Sequence, residues 1–185
     1  MNVFDFDKTI YKKDCSVEFY KYIIKRKPWI LLRCLPGQLM AAVSYKLGRI
    51  TKEKFKERYF SFLQYIDTEL LADKFAEQEL SNMAPWYLAM KREDDVIISA
   101  SPAFLVTAFA KKLDIMHVLA TDMNPHTGKI NGANCRGQEK VVRFKKVFAE
   151  AVDNFYSDSI SDTPMAKEAC VAYLVKKGKP EVWNV

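Results

Sequence analysis

The sequence contains little glycine, proline and histidine. Its 185 residues include six Gly, seven Pro and two His, which excludes a collagen-like or low-complexity chain and gives no support to a histidine-based metal site. The four cysteines stand 19, 101 and 35 residues apart and form no CxxC motif, so neither a zinc knuckle nor a thioredoxin-like redox site is predicted. We expect reduced thiols without a catalytic role.

Long apolar runs and several catalytic signatures are also absent. No uninterrupted apolar run reaches the roughly 18 residues that a membrane-spanning helix needs. The first seven residues carry two acids and no base, so we expect no secretory signal and predict a cytoplasmic protein. There is no G-x-S-x-G motif. Gly132 and Gly137 have the spacing of a P-loop, but Gln138-Glu139 replaces its Lys-Ser/Thr, which excludes that loop.

The order of the apolar segments predicts an α/β fold. Short apolar strands are predicted at 3–6, 95–99, 117–121, 154–157 and 171–175, with helices at 102–112, 138–151 and 163–170. Strands that alternate with helices favour parallel pairing, so we expect a doubly wound, Rossmann-like parallel sheet. Residues 124–137 are rich in turn signals and are predicted to form a hairpin.

The segment that follows the first strand differs in character from the rest. Its apolar residues recur every three or four positions, which predicts about four helices, broken at Pro28 and at Pro36-Gly37. We therefore predict an all-helical insertion, the cap, over residues 14–81, with 1–13 and 82–185 forming the core. Residues 12–58 hold 13 Lys/Arg and 4 Asp/Glu, a net charge of +9 in a chain whose total is +6.

Carboxylate and hydroxyl side chains follow several predicted strands at the point where each strand ends. Ligands of open α/β sheets bind at this edge, so we expect these side chains to meet there. Clustered carboxylates repel one another unless a cation lies between them, and oxygen ligands suit Mg²⁺, while lysine and serine suit phosphate. One carboxylate could attack phosphorus and a second could transfer the proton. The residues concerned are Asp5, Asp7, Ser99, Lys140, Asp158 and Asp162.

These residues lie in four motifs that resemble those of the haloacid dehalogenase-like hydrolases. Asp5-Phe6-Asp7-Lys8-Thr9 resembles the DxDx[TV] motif, and the apolar strand 96–99, which ends in serine, resembles the second motif. Lys140 resembles the lysine of the third motif, and 156–162 resembles the acidic DxxxD motif. The resemblance covers nearly the whole chain with the motifs in order, so it is more specific than any one motif.

The resemblance implies roles for the acidic residues. Asp5 is expected to be the nucleophile and a Mg²⁺ ligand. Asp7 is expected to be the general acid and base, and its backbone carbonyl also to contact the metal. Asp158 would be a further metal ligand, and Asp162 would support the metal site. An aspartate at the second position fits the phosphatase branch, because dehalogenases lack it.

The resemblance also implies that Ser99 and Lys140 hold the transferred phosphoryl group and neutralise its charge. Structural alternatives remain open for each. Ser99 could be a turn hydroxyl, and Lys140 a solvated helix lysine. Asp162 could cap the helix that follows it. Ser101 is interpreted as a helix cap rather than as a phosphate ligand.

The insertion resembles the C1 cap of the phosphoserine phosphatase-like branch, subfamily IB. Such caps close over the site, exclude water and contact the leaving group of the substrate. Asp14 falls where phosphoserine phosphatases carry a glutamate that contacts the substrate's amine. It is therefore a candidate for a contact between the cap and the substrate.

The apolar stretch from Trp29 to Val43, with basic residues on both sides, resembles the cap of phosphatidylglycerophosphatase C-type enzymes, which dephosphorylate a lipid headgroup. Two interpretations stay open. The stretch either contacts a membrane from the cytoplasmic side as a peripheral helix pair, or packs within the cap behind a solvated basic face. No base-reading motif is present, so a nucleic-acid partner is not expected.

Two classes of function are compatible with these features. The first is a Mg²⁺-dependent phosphomonoesterase that forms an aspartyl-phosphate at Asp5, with a small anionic phosphomonoester or a lipid headgroup phosphate, such as phosphatidylglycerophosphate, as substrate. The second is a catalytically silent module of the same fold that binds a membrane surface or a partner. A phosphotransferase would share the first half-reaction of the phosphatase.

Overall fold

The computed structural model describes residues 1–185. It contains one six-stranded sheet and eight α-helices. The strands are β1 (Asn2–Phe4), β2 (Val96–Pro102), β3 (His117–Thr121), β4 (Val152–Ser157), β5 (Ala169–Lys176) and β6 (Lys179–Val182). The helices are α1 (Cys15–Arg26), α2 (Trp29–Lys46), α3 (Lys52–Tyr59), α4 (Thr68–Glu79), α5 (Pro85–Met90), α6 (Ala103–Lys112), α7 (Gln138–Val147) and α8 (Thr163–Ala166).

The strands lie in the order β3-β2-β1-β4-β5-β6. The first five pair in parallel, and β6 pairs antiparallel to β5. The predicted α/β fold with a Rossmann-like parallel sheet is therefore confirmed. The sequence pattern does not predict β6, because Lys179–Val182 is polar and mostly exposed. The turn before it has positive φ at Lys177 and Gly178, as a two-residue hairpin of the I′ type requires.

The sheet is buried on both faces, as a parallel sheet requires. Neighbouring residues of β1 point in opposite directions. Phe4 packs in a cluster of 31 buried residues that includes side chains of α1, α2, α4, α5 and α6. Val3 packs in a cluster of 11 buried residues with side chains of α7 and α8. Because β1 lies at the centre of the sheet and pairs with a strand on each side, the backbone that leads into Asp5 and Asp7 is held in place.

Every regular element between β1 and β2 is helical, with 3₁₀ turns at 60–65 and 80–82. The division into a core of 1–13 and 82–185 and a cap of 14–81 remains a prediction. The expected break at Pro36 is wrong, because Pro36 lies inside α2. A proline there costs about 3 kcal/mol. α2 continues because it buries residues on both sides of the proline: Ile30, Cys34, Gln38 and Ala41.

Several boundaries also differ from those predicted. α7 ends at Val147 rather than near 151, and Phe148 is already extended. The helix predicted at 163–170 is a 3₁₀ turn at 160–162 followed by α8. It ends early because β5 begins at Ala169 and pairs with β4 from that residue onward.

The segment between β3 and α7 contacts the cap. It forms an antiparallel turn with one isolated bridge, Met123 to Ile130, and two backbone hydrogen bonds, from the Asn124 N–H to Lys129 O at 2.8 Å and from the Asn131 N–H to Asp122 O at 2.9 Å. The predicted hairpin is therefore present, but it is too short to form strands. Gly128 has φ +71° and lies so close to the cap that a Cβ there would be 2.6 Å from the carbonyl oxygen of Phe60. The Ile130 N–H donates to Glu57 of α3 at 3.2 Å. The turn therefore holds the cap against the core.

Candidate active site

The carboxyl ends of β1, β2 and β4 lie together at one edge of the sheet. Phe4, the last residue of β1, pairs with Tyr156 of β4 and with Ile97 of β2. The residues after these strands line a cleft of about 530 Å³ between the core and the cap helices. The cleft contains every residue predicted to act in the site: Asp5, Asp7, Asp14, Ser99, Lys140, Asp158 and Asp162.

Lys140 is the centre of a buried ionic network. It projects from α7, and its side chain is 1% exposed. Its Nζ donates to Asp5 Oδ1 at 2.6 Å and to Asp162 Oδ2 at 2.7 Å. Asp162 Oδ2 also accepts from the Ser157 hydroxyl at 2.8 Å. Asp162 therefore orients the lysine beside Asp5, and the alternative in which its carboxylate caps α8 is not observed.

Asp5 lies almost out of contact with solvent. Burial raises the pKa of its carboxyl to about 7, and the neighbouring Lys140 opposes that rise. Asp5 Oδ2 has a weaker partner than Oδ1, since the Thr9 hydroxyl is 3.4 Å away. Asp5 is thus a carboxylate with one oxygen held by an ammonium group and the other available at the cleft.

Thr9 joins the loop after β1 to the loop after β4. Its hydroxyl oxygen accepts from the Asp158 N–H at 3.0 Å and donates towards Asp5. The pKa of Asp158 is raised by its burial, and the positive charge of Lys8 opposes this. Two carboxylates, Asp5 and Asp158, therefore face the same cleft without enough positive charge to offset their burial.

Asp7 is held by neutral donors. The Cys15 N–H donates to Oδ1 at 2.6 Å, and the Ser101 hydroxyl donates to Oδ2. Burial raises the pKa of Asp7, and the nearby charge of Asp14 raises it further. The interpretation of Ser101 as a helix cap is wrong, because α6 has no side-chain cap and the hydroxyl is used by Asp7 instead.

Ser99 is buried at the end of the apolar part of β2. Its Oγ accepts from the Ser101 N–H at 3.0 Å. The serine hydroxyl can therefore donate its own hydrogen to an anion in the cleft. The tight Ser99–Ser101 turn coincides with a register irregularity between β2 and β3.

The cap contributes Lys56, which the sequence patterns do not single out. Its Nζ donates to the Ala100 carbonyl oxygen and, at 2.8 Å, to Asn134 Oδ1. Burial lowers the pKa of Lys56, while nearby acidic groups oppose this. One lysine among many in a basic segment gives no sequence signal. Its role as a link from α3 to the end of β2 and to the segment before α7 follows only from the fold.

Asp14 lines the cleft, but its carboxylate also has a structural partner. Oδ1 accepts from the Val17 N–H at 3.1 Å and caps the start of α1. Three cations line the same cleft nearer to solvent: Lys8, Lys52 and Arg136. Five Lys/Arg and five Asp line the cleft in total, so the positive charge that would attract a negatively charged ligand lies in this outer part.

The oxygen groups of the cleft fit Mg²⁺. No three His, Cys, Asp or Glu side chains are clustered as a complete ligand set. Mg²⁺ does not need one, since it keeps several waters and usually binds one or two carboxylates together with substrate phosphate. The two carboxylates with raised pKa values, Asp5 and Asp158, would both be stabilised by such a cation.

Comparisons with known proteins give a match to one family and similarity to solved folds. The sequence profile described as haloacid dehalogenase-like hydrolase matches residues 3–167. The Protein CicA of Caulobacter vibrioides is 29% identical over 193 aligned residues, which cover 96% of this chain and 86% of the relative.

Two solved structures share the fold. A protein of unknown function from Bordetella pertussis Tohama I superposes with a TM-score of 0.72 at 21% identity, and covers 94% of this chain and 88% of its own. A phosphoserine phosphohydrolase-like protein from Francisella tularensis superposes with a TM-score of 0.59 at 16% identity, with 94% and 87% coverage.

Proposed function

The chain belongs to the haloacid dehalogenase-like hydrolase family, and from this premise we propose that it is a Mg²⁺-dependent phosphomonoester hydrolase. The observation that carries the proposal is the contrast between two buried aspartates in one cleft. Asp5 is paired with an ammonium group, which opposes the rise in its pKa to about 7 that burial causes, whereas the hydrogen-bond partners of Asp7 are neutral. Asp7 is held by an N–H and a hydroxyl and has a raised pKa, which favours proton donation.

The reaction has two steps in this proposal. Asp5 Oδ2 attacks phosphorus, the bond from phosphorus to the substrate alcohol breaks, and Asp7 gives its proton to the departing oxygen. Asp7 then takes a proton from a water molecule that attacks the aspartyl-phosphate, and the bond between Asp5 and phosphorus breaks. Lys140 and the Ser99 hydroxyl neutralise the charge on the phosphoryl oxygens.

The carboxylates of Asp5 and Asp158 and the backbone carbonyl of Asp7 would hold Mg²⁺. When bound, the ion would neutralise phosphoryl charge and align the phosphate with the attacking oxygen. Asp162 acts through Lys140 in this proposal, since its carboxylate accepts a hydrogen bond from that lysine at 2.7 Å.

The substrate is proposed to be a small anionic phosphomonoester or a lipid headgroup phosphate. The cations that line the cleft favour an anionic molecule beyond the phosphoryl group itself, and Phe55 and Tyr59 give the cap side an aromatic wall. Asp14 is retained as a candidate contact for a cationic group on the substrate. Peripheral contact with a membrane belongs to the same proposal when the substrate is a lipid.

Turnover of para-nitrophenyl phosphate with and without Mg²⁺ tests the activity. Asp5→Asn should reduce turnover to background, because an amide oxygen cannot form the intermediate. Asp7→Asn should allow slow phosphorylation but block hydrolysis, so phosphorylated protein should accumulate and be visible by intact mass spectrometry. The matched control is Asp114→Asn, an exposed carboxylate with φ 56°, a conformation that asparagine also adopts.

Absence of turnover in the parent protein on a broad phosphomonoester panel would contradict the proposal and favour a silent binding module. A phosphotransferase differs in its products. Adding glycerol as a competing acceptor would give phosphorylated glycerol with a transferase and only inorganic phosphate with a hydrolase.

A further inference from the structure

Helix α2 has two apolar faces, and only one of them is covered. The inner face is buried against the rest of the cap through Ile30, Cys34, Gln38 and Ala41. The outer face carries apolar side chains that recur every three or four residues along the other side of the helix. These are Leu32, Leu35, Leu39, Met40 and Val43, with exposed fractions of 81, 37, 57, 69 and 58%.

The direction of the outer face is fixed by a buried polar side chain. Gln38 accepts from the Tyr20 hydroxyl of α1 at 2.8 Å and donates to the Tyr59 carbonyl of α3 at 2.8 Å. Rotating α2 to bury the outer face would break both hydrogen bonds and leave the amide without partners. The exposed row of leucines is therefore part of the folded cap.

The charge around this face has one sign. Residues 19–52 contain eight Lys/Arg and no Asp/Glu. Only Lys21 among them forms a salt bridge, with Glu18. Lys25 and Arg26 lie just before α2, and Lys46 and Arg49 lie at its far end, all exposed. An apolar strip with uncompensated cations at both ends is complementary to a surface whose outer layer is anionic and whose interior is apolar.

We propose that the outer face of α2 binds the surface of an anionic lipid bilayer, with the helix lying in the plane of the headgroups. No helix of the protein is long and apolar enough to cross a bilayer. Pro36 also leaves the Leu32 carbonyl without the N–H that would be its helical partner. Such a carbonyl is satisfied by water in the headgroup layer but not in the hydrocarbon.

A second copy of the chain fits the outer face less well. A two-fold contact through α2 would pack the same surface patch of the two copies together. The cations at the ends of the helix would then face the cations of the other copy, and like charges across an interface are repulsive. A lipid surface provides the opposite charge.

The proposal explains how a lipid substrate would reach the cleft. Tyr45, near the end of α2, stacks on Phe55 of α3 with ring centres 5.3 Å apart, and Phe55 lines the cleft. A membrane-bound α2 would place that wall of the cleft close to the headgroups. The binding surface itself does not depend on the proposed phosphatase activity.

Vesicle sedimentation tests the binding. The full-length protein should sediment with vesicles of phosphatidylcholine and phosphatidylglycerol and much less with phosphatidylcholine alone, and salt should weaken binding. The triple variant Leu32→Ser/Leu39→Ser/Val43→Ser should lose at least tenfold in partition coefficient. Its control replaces equally exposed residues elsewhere, Leu70→Ser/Met116→Ser/Val182→Ser, 51, 74 and 66% exposed, and should bind as the parent does.

Charge and fluorescence give independent measurements. Lys46→Gln and Arg49→Gln should each lower the partition coefficient roughly fivefold. In the unaltered protein, brominated lipids should quench the part of the tryptophan emission that comes from Trp29, which is 48% exposed beside the outer face, and Trp29→Phe should remove that quenching. This second measurement holds even if the triple variant fails to fold.

Three results would overturn the proposal. The first is that the protein does not sediment with anionic vesicles. The second is that the triple variant and the parent bind vesicles equally. The third is that the parent forms dimers and does not bind vesicles, and that the triple variant abolishes the dimers. Turnover of para-nitrophenyl phosphate by the triple variant should equal that of the parent. Failure of membrane binding is therefore distinguishable from failure of the proposed phosphatase.

Discussion

Replacing Lys140 by methionine should destabilise the protein more than almost any other single substitution in the site. The side chain is 1% exposed and its ammonium is the common partner of Asp5 and Asp162. Methionine keeps much of the apolar volume, so the change isolates the lost charge. Removing one partner of a buried ion pair costs about 3–5 kcal/mol, because the remaining charge is uncompensated.

This free energy corresponds to a measurable shift in Tm. For 150–250 residues, 1 kcal/mol changes Tm by roughly 2–4 °C, so Lys140→Met should melt about 6–20 °C below the parent at neutral pH in the presence of a chelator. The exposed Lys145→Met, whose lysine pairs with Glu168 at the surface, should shift stability by less than about 0.5 kcal/mol. Melting followed by circular dichroism measures both.

The loss of stability in Lys140→Met should also depend on pH. Burial already raises the pKa of Asp5 to about 7 against the pull of Lys140, and losing the lysine raises it further. A native carboxyl with a raised pKa binds a proton more tightly than the unfolded chain does, so it loses stability as pH rises. The difference in Tm between Lys140→Met and the parent should therefore be largest above pH 7 and shrink towards pH 4.

A triple variant separates charge from packing. In Asp5→Asn/Lys140→Met/Asp162→Asn no buried charge remains unpaired, so most of the lost stability should return while turnover stays at background. If Lys140→Met melts with the parent, or if the triple variant is less stable than the single one, then the buried ionic network does not contribute about 3–5 kcal/mol to stability.

Three further predictions concern other parts of the fold. Gly128→Ala should lower the free energy of unfolding in urea by at least about 2 kcal/mol, because alanine adds a clash with the cap to the 1–2 kcal/mol cost of its left-handed backbone. Gly132→Ala is the control, since Gly132 has φ +81° and open space around it, so alanine there adds the backbone cost alone. Burial raises the pKa of Asp95, so the parent loses stability from this group as pH rises above about 4, and the Tm of Asp95→Asn relative to the parent should be higher at pH 7 than at pH 4. Ser101→Ala removes a hydrogen bond to Asp7 and should lower kcat about 10–100-fold at unchanged KM. A rise in KM by a similar factor would contradict a positioning role.

The candidate residues at the strand ends could be named from the sequence because the chemistry follows the topology. A parallel sheet brings the carboxyl ends of its strands to one edge, so Asp5, Ser99 and Asp158 meet in the cleft once their strands are recognised. Lys140 stands near the start of a helix and not at a strand end, so topology alone does not fix its position beside these residues, whereas the resemblance implies it. Its actual partners required the fold, since nothing in the motif indicates that Asp162 contacts the lysine.

Other features could not be predicted because tertiary contacts override local signals. Pro36 is a helix breaker by propensity, yet the buried inner face of α2 holds the helix together across it. Ser101 precedes a proline and a helix, which is the usual place of a cap, but a buried carboxylate competes for its hydroxyl. Lys56 is one of 13 cations between residues 12 and 58, and only the packing of α3 on the core distinguishes it.

The start of α1 couples the cap to Asp7. Its first N–H groups are divided between two carboxylates, since Cys15 donates to Asp7 and Val17 donates to Asp14. Fraying α1 would therefore release Asp7 from one of its donors. A cap at this position is worth about 1 kcal/mol, so Asp14→Ala should lower stability by about that amount and lower kcat as well.

Asp14→Asn decides between the two roles considered for this residue. Asparagine keeps the capping oxygen but removes the negative charge. If Asp14 acts only as the cap that steadies α1 and Asp7, then Asp14→Asn should restore the stability that Asp14→Ala loses. Any change in kcat that remains, because the lost charge no longer raises the pKa of Asp7, should then be the same for every substrate. If Asp14 also binds a cationic group of the substrate, KM should rise in Asp14→Asn only for phosphomonoesters that carry an amine and not for para-nitrophenyl phosphate.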